Sequence, residues 1–321
     1  MSASISIQAA ADFLRDHDGY LILTHLRPDG DTVGCAAGLC RALRQLGKTA
    51  YILPNHQASS LFTPYFQGLL AGDDFVPDTV VSVDIAARGL FPDNAREYLT
   101  RVDLAIDHHP SQEFFAKETC LDAGRAACGE LLYEILKEMG PVTAEIAAPL
   151  YVAVSTDCGC FAYGNTTGDT HRVAAALIDT GIPLAQLNKR HFRTKSLVRM
   201  RLESAIIEGM HLYDDGAIAV ASIPLALLAR LGAVERDVED IAALLGQLEG
   251  VDTSVTIREL KPGKCKLSLR TDPAKLNATH VCAQLGGGGH AAASGATVDG
   301  TVEEAEAAIL TAIRRVQAGQ V

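Results

Sequence analysis

The sequence has no long uninterrupted hydrophobic stretch among its 321 residues. A helix that crosses a bilayer needs ~18 or more consecutive apolar residues, and the nearest approach, Ile146–Ser155, contains a proline and ends in polar residues. The first residues also lack a basic segment ahead of an apolar one, and acidic Asp12 and Asp16 soon follow. These absences predict a protein with no membrane span, no secretory signal peptide and a cytoplasmic location.

The cysteines lack the spacing of a zinc or redox site. None of the eight forms a Cys-x-x-Cys pair, and Cys158 and Cys160 are the one close pair. A structural zinc site needs four ligands with suitable spacing. Packing as small hydrophobic residues is therefore the favoured role of this pair, and a zinc or redox role is the less favoured alternative.

The chain also lacks an excess of positive charge, with a formal net charge of -11. This balance excludes a protein that coats long duplex nucleic acid by neutralising its phosphates. Small phosphorylated ligands remain compatible with it, because two locally basic segments, Gln186–Arg201 and Val251–Cys282, stand out in the acidic chain. Solvated helix and strand faces account for most of these basic side chains.

Short apolar runs recur in the first half of the chain and alternate with helical patterns. They are Tyr20–Thr24, Thr49–Leu53, Thr79–Ile85 and Val102–Asp107. Their continuous rather than alternating apolar character indicates strands that are buried on both faces. The N-terminal part is therefore predicted to be an α/β domain, in which helices cover both faces of a parallel sheet.

A second αβ pattern begins near Ala217 and predicts a smaller α/β domain. Two predicted strands, Thr253–Leu260 and Cys265–Thr271, flank a Lys-Pro-Gly-Lys turn signal and should form a hairpin. Helices are predicted over Ala274–Leu285 and Val302–Ala318, with a glycine run between them. The predicted divisions of the chain are residues 1–185, a helical connector over 186–212, and residues 213–321.

Residues of the types that bind metal ions follow several of the predicted strands and one predicted helix. They are His25, Asp29, Asp31, Asp84, Asp107, His108, His109 and Asp157. In an open parallel sheet, ligands bind outside the carboxyl ends of the strands, so side chains in these positions indicate a site. Carboxylate oxygen with imidazole nitrogen and no thiolate suits Mn²⁺ best, and Mg²⁺, Co²⁺ and Zn²⁺ are alternatives.

So many ligands predict two ions rather than one. Two ions about 3.5–4 Å apart can share a carboxylate and a hydroxide that attacks phosphorus, while both ions neutralise the charge on the phosphoryl oxygens. That chemistry is phosphoester hydrolysis. A calcium-binding EF-hand loop beginning at Asp29 is excluded, because Val33 and Cys40 stand where oxygen ligands are required. Each aspartate or histidine alone is more often a cap or a structural residue, so the prediction depends on their joint placement.

The glycine run Gly286–His290 is short, lies between two predicted helices and ends in a histidine. Glycine runs are commonly flexible linkers, but successive backbone N–H groups without side chains can also form a concavity that binds anions. Phosphate binding is the favoured interpretation. The run is not a dinucleotide-binding fingerprint, since the G-x-G-x-x-G spacing after a strand is missing. Arg270, in the basic hairpin, carries a fork-shaped donor suited to phosphate.

These motifs together resemble those of the DHH phosphoesterase family. Four segments of this chain resemble the four motifs of that family and occur in the same order. They are His25-x-x-x-Asp29-x-Asp31, the strand ending at Asp84, Asp107-His108-His109, and Thr156-Asp157. Gly286–His290 resembles the signature of the DHH-associated C-terminal domain. The similarity covers nearly the whole chain and is closest to the NrnA-like group of bifunctional oligoribonucleases and PAP phosphatases. One departure is Ala162, where many relatives have a basic residue.

The resemblance implies a role for each residue of the first domain. One ion would be held by His25, Asp29 and Asp84. The other ion would be held by Asp31, Asp84, His108 and Asp157, so that Asp84 is shared. His109 would contact the substrate phosphate, and Asp107 would orient an imidazole, as histidines at metal sites generally require.

The resemblance also implies how the substrate is bound. The terminal phosphate or nucleotide would be held across a cleft between the domains by Arg270, Gly287, Gly288, Gly289 and His290. The implied substrates are short RNA, dinucleotides such as pApA, and pAp, and a homodimer is compatible with the resemblance. The alternatives are a phosphodiesterase of cyclic or linear dinucleotide signals, a manganese inorganic pyrophosphatase, and a nucleotide-binding sensor without catalysis.

Overall fold

A computed structural model describes residues 3–238 and 241–320 of the chain. The chain divides into two compact units, Met1–Thr194 and Lys195–Val321. The range 186–212, predicted as a helical connector, contains the end of one helix, a whole second helix and the start of a strand. No helix within the described residues is long and apolar enough to cross a bilayer.

Within its described residues, the first unit contains six strands and six α-helices. The strands are β1 (Ala3–Ser4), β2 (Tyr20–Leu23), β3 (Ala50–Ile52), β4 (Thr79–Val83), β5 (Leu104–Asp107) and β6 (Glu118–Leu121). The helices are α1 (Ile7–Asp16), α2 (Gly30–Gln45), α3 (Cys128–Met139), α4 (Ala144–Asp157), α5 (Gly168–Asp179) and α6 (Leu184–Phe192). The strands pair in the order β1-β6-β5-β4-β2-β3, and every pairing in this sheet is parallel.

The predicted α/β class with a parallel N-terminal sheet is confirmed, and the four predicted strands are β2, β3, β4 and β5. Strands β1 and β6 were not predicted, because β1 has two residues and β6 lacks an apolar run. Helices α1 to α4 cover one face of the sheet around a core that includes Ile22, Val81 and Ile106. The short 3-10 helices Arg88–Leu90 and Asp93–Tyr98 lie along the other face.

Helices α2 and α4 pack closely because small residues face each other along their contact. A Cβ atom on Gly34 would lie 2.2 Å from the Pro149 carbonyl oxygen and 2.8 Å from the Ala153 Cβ. Pro149 cannot donate the usual helical hydrogen bond to the carbonyl of Glu145. That carbonyl instead accepts a 2.9 Å bond from the Arg41 guanidinium of α2, so a bond between the two helices takes the place of the one that the proline removes.

Gly34→Ala should therefore destabilise the protein, although alanine favours helix more than glycine by about 1 kcal/mol. A backbone carbonyl at 2.2 Å cannot move aside as a side chain can, and overpacking of a tight core costs about 1–3 kcal/mol or more. We expect a lower midpoint in urea unfolding. Gly168→Ala in α5 is the matched control, since its nearest atoms are the end of the Arg172 side chain at 3.6 Å. Equal stability of the two variants would contradict the prediction.

The part of the second unit that the structure describes contains a mixed sheet and four α-helices. The strands are β7 (His211–Tyr213), β8 (Ile218–Ile223), β9 (Thr253–Lys261), β10 (Lys264–Thr271), β11 (Gly288–His290) and β12 (Ala293–Asp299). The helices are α7 (Leu197–Glu208), α8 (Leu225–Leu231), α9 (Ala278–Ala283) and α10 (Val302–Gln317). The order in this second sheet is β11-β12-β10-β9-β8-β7, and within its described residues only the β8–β9 pairing is parallel.

The predicted hairpin is confirmed as β9 and β10, which turn at Gly263 with a φ of 75°. The glycine run lies between helices α9 and α10 as expected, but two strands that were not predicted also lie between these helices. The end of the run forms edge strand β11, and β12 follows before α10 begins. Strand β12 was missed because its sequence, ASGATVD, has no large apolar residue before Val298 and so carries a weak strand signal.

Candidate metal centre

Strands β2, β4 and β5, the start of α2 and the end of α4 bring seven side chains together. They are His25, Asp29, Asp31, Asp84, His108, His109 and Asp157, named here the carboxylate–histidine centre. They form three overlapping groups whose ligand atoms lie within 4.8 Å of one another. Asp84 belongs to two of these groups and His108 to two.

The first group lies where β2, β4 and α2 meet. The His25 Nε2 atom is 3.5 Å from Asp29 Oδ1 and 3.7 Å from Asp84 Oδ2. Asp29 is also the N-cap of α2, since its carboxylate accepts bonds from the backbone N–H groups of Asp31 and Thr32 at 3.0 and 3.3 Å. The oxygen that caps the helix, Oδ1, is the same one that faces His25, so the cap fixes this oxygen beside the imidazole.

The second group surrounds the His108 Nε2 atom. This nitrogen is 3.7 Å from Asp31 Oδ2, 3.5 Å from Asp84 Oδ1 and 3.6 Å from Asp157 Oδ2. These separations are too long for hydrogen bonds. They suit donor atoms around a common ion, because ligands about 2.1 Å from one ion lie roughly 3 Å or more apart.

Hydrogen bonds fix which nitrogen of His25 and of His108 faces the carboxylates in the neutral form of each ring. The His25 Nδ1 atom lies 2.9 Å from the Leu26 carbonyl oxygen, and His108 Nδ1 lies 3.1 Å from that of Arg125. A carbonyl oxygen only accepts, so Nδ1 must carry the proton in each neutral ring. The Nε2 lone pair then faces the centre, as it does in metal-bound histidines that donate their other N–H to a carbonyl.

The N-terminus of α3 holds the Asp31 carboxylate in place. Its oxygens accept bonds from the backbone N–H groups of Cys128 at 2.6 Å and Gly129 at 2.9 Å, and from the Cys35 thiol at 3.3 Å. The positive end of the helix dipole favours a carboxylate in this position. Burial nevertheless raises the pKa of Asp31 to about 7, with nearby Asp29 adding to the effect.

Asp84 is the most constrained residue of the centre. Its side chain is 3% exposed, its φ is 60°, and its Oδ1 atom has no hydrogen-bond partner among the described residues. Burial, together with Asp31 and Asp29, raises the pKa of Asp84 well above its ordinary value. A strained backbone and an unpaired buried carboxylate are costly, and a divalent cation would remove the electrostatic part of that cost.

Asp157, the last residue of α4, closes the group around His108. Burial raises its pKa to about 7, and the charge of Asp31 adds to the shift. The crowding of Asp31, Asp84 and Asp157 therefore favours protons or cations. The donor set fits hard divalent ions, since it consists of oxygen and imidazole nitrogen.

His109 differs from the other two histidines. Its Nδ1 atom lies 2.8 Å from Asp107 Oδ1, and this hydrogen bond is the main cause that raises the pKa of His109. The ring is 37% exposed, whereas Asp107 is fully buried. Although Nδ1 is 3.5 Å from Asp84 Oδ1, its proton is committed to Asp107. The Nε2 edge therefore remains for a ligand or substrate.

Arg270 and His290 lie in the second unit and occupy one row of its sheet. His290 pairs with Ala293, which pairs on its other side with Arg270. Residues in register on neighbouring strands share a face of the sheet. The Cα atoms of Arg270 and His290 are therefore about 10 Å apart, and the small residue Ala293 lies between them. Gly288 and Gly295 form the next row on this face and leave its backbone uncovered.

Gly287, Gly288 and Gly289 differ in whether packing requires a glycine at their positions. A Cβ atom on Gly287 would lie 2.1 Å from the Gly295 carbonyl oxygen, and one on Gly289 would lie 2.6 Å from that of Ala293. Packing on β12 therefore already requires both glycines. Gly288 has nothing within 4 Å of such an atom, so among the three it is the one that packing does not explain.

Arg270 is distinguished from its basic neighbours by its partners. Arg258 forms a two-pronged ion pair with Glu235 at 2.6 and 2.9 Å, and Lys275 pairs with Asp252 at 2.7 Å. Arg270 donates a bond to the carbonyl of Leu269 at 3.0 Å and has no carboxylate partner in the part of the chain that the structure describes. Its guanidinium retains donors for an anion.

Sequence reasoning missed the residues that support the centre. Buried Asn55 donates bonds to Thr24 Oγ1 at 3.0 Å and to the His25 carbonyl at 2.9 Å. Buried Gln112 donates bonds to Asp107 and Ile85. Both stand in polar loop sequences, where nothing in the pattern distinguishes a buried amide from an exposed one.

Comparison with known proteins decides the family. Residues 20–154 match the DHH family, N-terminal domain, and residues 216–318 match the DHHA1 domain. The bifunctional oligoribonuclease and PAP phosphatase NrnA of Thermus thermophilus is 31% identical over 96% of this chain and 93% of that protein. The chain belongs to the DHH family. The NrnA protein of Bacillus subtilis is 25% identical over 88% of this chain and 90% of its own length.

A solved structure with a related fold is an exopolyphosphatase-related protein from Bacteroides fragilis. It has a TM-score of 0.87 and 24% identity, and the match covers 97% of both chains. This likeness supports the fold. Membership of the DHH family, with a centre of clustered carboxylates and imidazoles that can bind metal ions, makes this protein a metal-dependent phosphoesterase.

Proposed function

We propose that this DHH protein hydrolyses very short RNA, dinucleotides such as pApA above all, to mononucleotides, and that it removes a phosphate from pAp. The observation that carries the proposal is the carboxylate–histidine centre, in which the two carboxylate oxygens of Asp84 lie 3.7 Å from His25 Nε2 and 3.5 Å from His108 Nε2. The NrnA relatives, named as oligoribonucleases and PAP phosphatases, supply the substrate class. Two divalent ions, Mn²⁺ first among them, are the proposed cofactors.

The two proposed ligand sets meet at Asp84, one beside each of its carboxylate oxygens. His25, Asp29 and Asp84 would hold one ion. The other would be held by Asp31, Asp84, His108 and Asp157. When bound, the ions would supply positive charge to the phosphoryl oxygens and lower the pKa of a water molecule.

The chain's own groups provide orientation and proton control. Asp107 holds the Nδ1–H of His109, so the exposed Nε2 edge is available to a non-bridging phosphate oxygen or to the leaving oxygen. In the second unit, we propose that Arg270, His290 and the bare backbone at Gly287, Gly288 and Gly289 bind the terminal phosphate or nucleotide. An arginine fork and free N–H groups are the donors that phosphate prefers.

A substrate panel tests this proposal. Purified protein with Mn²⁺ would be given pApA, longer RNA, pAp, cyclic di-AMP and pyrophosphate, each with and without chelator. We expect AMP from pApA and from pAp, and slower turnover of the other three compounds. Preference for cyclic di-AMP would favour a cyclic dinucleotide phosphodiesterase, and preference for pyrophosphate a pyrophosphatase. Tight nucleotide binding without turnover of any compound, at full metal occupancy, would indicate a sensor.

Arg270→Ala should raise the KM for pApA about 10- to 100-fold, because a charge-assisted bond to phosphate contributes roughly 1.5–3 kcal/mol. We expect a smaller change in kcat, since Arg270 is proposed to bind the end of the substrate that does not react. Arg315→Ala is the control, because it removes an equal charge from an exposed position of α10. Steady-state kinetics separate the outcomes, and an unchanged KM in Arg270→Ala would remove Arg270 from the substrate site.

A further inference from the structure

Gln112 is a buried amide beside the carboxylate–histidine centre, and none of the roles described above uses it. It lies in the loop after β5 and is 6% exposed. Its Nε2 atom donates one bond to Asp107 Oδ2 at 2.6 Å and another to the Ile85 carbonyl at 2.8 Å. Its Oε1 atom accepts a bond from the Phe114 N–H at 3.1 Å. Both amide donors and the amide oxygen are therefore engaged.

The partners determine which way the amide points. A carbonyl and a carboxylate can only accept, so the NH₂ group must face Ile85 and Asp107. No other uncharged side chain of this length offers two donors from one atom. Leucine would fill similar space without either bond, and the buried Asp107 oxygen would then lose its partner at a cost of about 1–3 kcal/mol.

The two acceptors belong to the ends of neighbouring strands. Ile85 follows Asp84 at the end of β4, and Asp107 ends β5. The other Asp107 oxygen accepts bonds from the His108 N–H at 2.8 Å, the His109 N–H at 3.3 Å and the His109 ring at 2.8 Å. One amide thus links the backbone beside Asp84 to the carboxylate that orients His109.

We propose that Gln112 is a positioning residue for phosphoester hydrolysis, which holds Asp107 and the Asp84–Ile85 backbone in register so that His109 presents its Nε2 edge to the substrate. The inference rests on the proposed function, because it assigns His109 to the substrate phosphate. It adds a residue that acts on the reaction through Asp107 and not by contact with substrate or metal.

Gln112→Leu should lower kcat for pApA about 10- to 100-fold, the usual effect of removing a group that orients a residue at a metal site. KM should change less than threefold, because Arg270 and the ligand set are untouched. Metal content per chain should equal that of wild type. Gln67→Leu, an exposed glutamine in the same unit, controls for the loss of an amide.

A double-mutant cycle separates positioning from general destabilisation. If Gln112 acts through Asp107, then Gln112→Leu should have little further effect on kcat in an Asp107→Asn background. Independent, multiplicative losses would overturn the proposal. A second readout does not need turnover: the ¹⁵N resonances of the His109 ring in metal-free protein should shift in Gln112→Leu, and unchanged resonances would also overturn it.

Gln112→Asn provides a variant that keeps the amide if Gln112→Leu does not fold. An amide shorter by one methylene reaches only one of its two acceptors, so we expect a kcat between those of wild type and Asp107→Asn, with the same KM. A wild-type kcat in folded Gln112→Asn would contradict the proposal that Gln112 must bond to both Asp107 and the Ile85 carbonyl. Failure of wild-type protein to hydrolyse pApA would instead reject the proposed function, so the two failures are distinguishable.

Discussion

Asp84→Asn is expected to lower kcat on the order of 10³-fold, the equivalent of about 4 kcal/mol of transition-state stabilisation. Asp84 faces His25 at 3.7 Å and His108 at 3.5 Å from different carboxylate oxygens. An asparagine keeps the shape but removes the charge that both proposed ions share. Metal bound per chain should fall as well, as measured by elemental analysis after gel filtration.

The stability of the same variant should change in the opposite direction when metal is absent. Burial and neighbouring carboxylates raise the pKa of Asp84, so its ionised form destabilises the metal-free fold at neutral pH. Asparagine has no such charge. We expect an equal or higher Tm in chelator for Asp84→Asn, together with a smaller rise in Tm when Mn²⁺ is added.

Asp73→Asn is the matched control, because Asp73 is an exposed aspartate of the same unit. It should have wild-type kcat and a wild-type response to Mn²⁺. Retention of most activity in Asp84→Asn, with full metal occupancy, would show that the two ligand groups do not depend on a shared carboxylate. A large drop in Tm in chelator would instead assign Asp84 a structural role.

Metal removal should abolish turnover and leave a protein whose stability falls as pH rises from about 4 to about 7. The pKa values of Asp31 and Asp157 are each about 7 in the folded metal-free chain and 3.8 ordinarily. Between those values the folded state binds more protons than the unfolded state, and stability therefore decreases with increasing pH. Above about 7 these two carboxyl groups are ionised in both states, and their contribution to the pH dependence ends.

Metal ions should reverse this pattern, because they bind the deprotonated carboxylates and compete with protons. The rise in Tm on adding Mn²⁺ should be small at pH 5 and largest above pH 7. Thermal unfolding across this range, with chelator and with Mn²⁺, measures both effects. Asp31→Asn should flatten the metal-free dependence. A metal-free Tm that is constant or increases between pH 4 and 7 would be inconsistent with raised pKa values at these aspartates.

Much of the first unit could be predicted because its strands are short apolar runs and its ligands stand directly after them. Asp84 directly follows the strand Thr79–Val83, and His108 and His109 directly follow the strand Leu104–Asp107. Parallel strands end at one edge of a sheet, so the local pattern also predicts that their ligands meet. The second unit was harder to predict, since β11 and β12 consist mostly of glycine, alanine and serine.

The sequence by itself determined the chemistry of the centre: which residues offer oxygen and nitrogen ligands, and that they belong at strand and helix ends. Tertiary structure alone decided which atoms are free to bind. Asp31 is held by backbone groups 97 and 98 residues away in the chain, and Asp84 Oδ1 is left unpaired within the described residues. Hydrogen-bond partners and burial depend on contacts between distant segments, and no local pattern of residues records them.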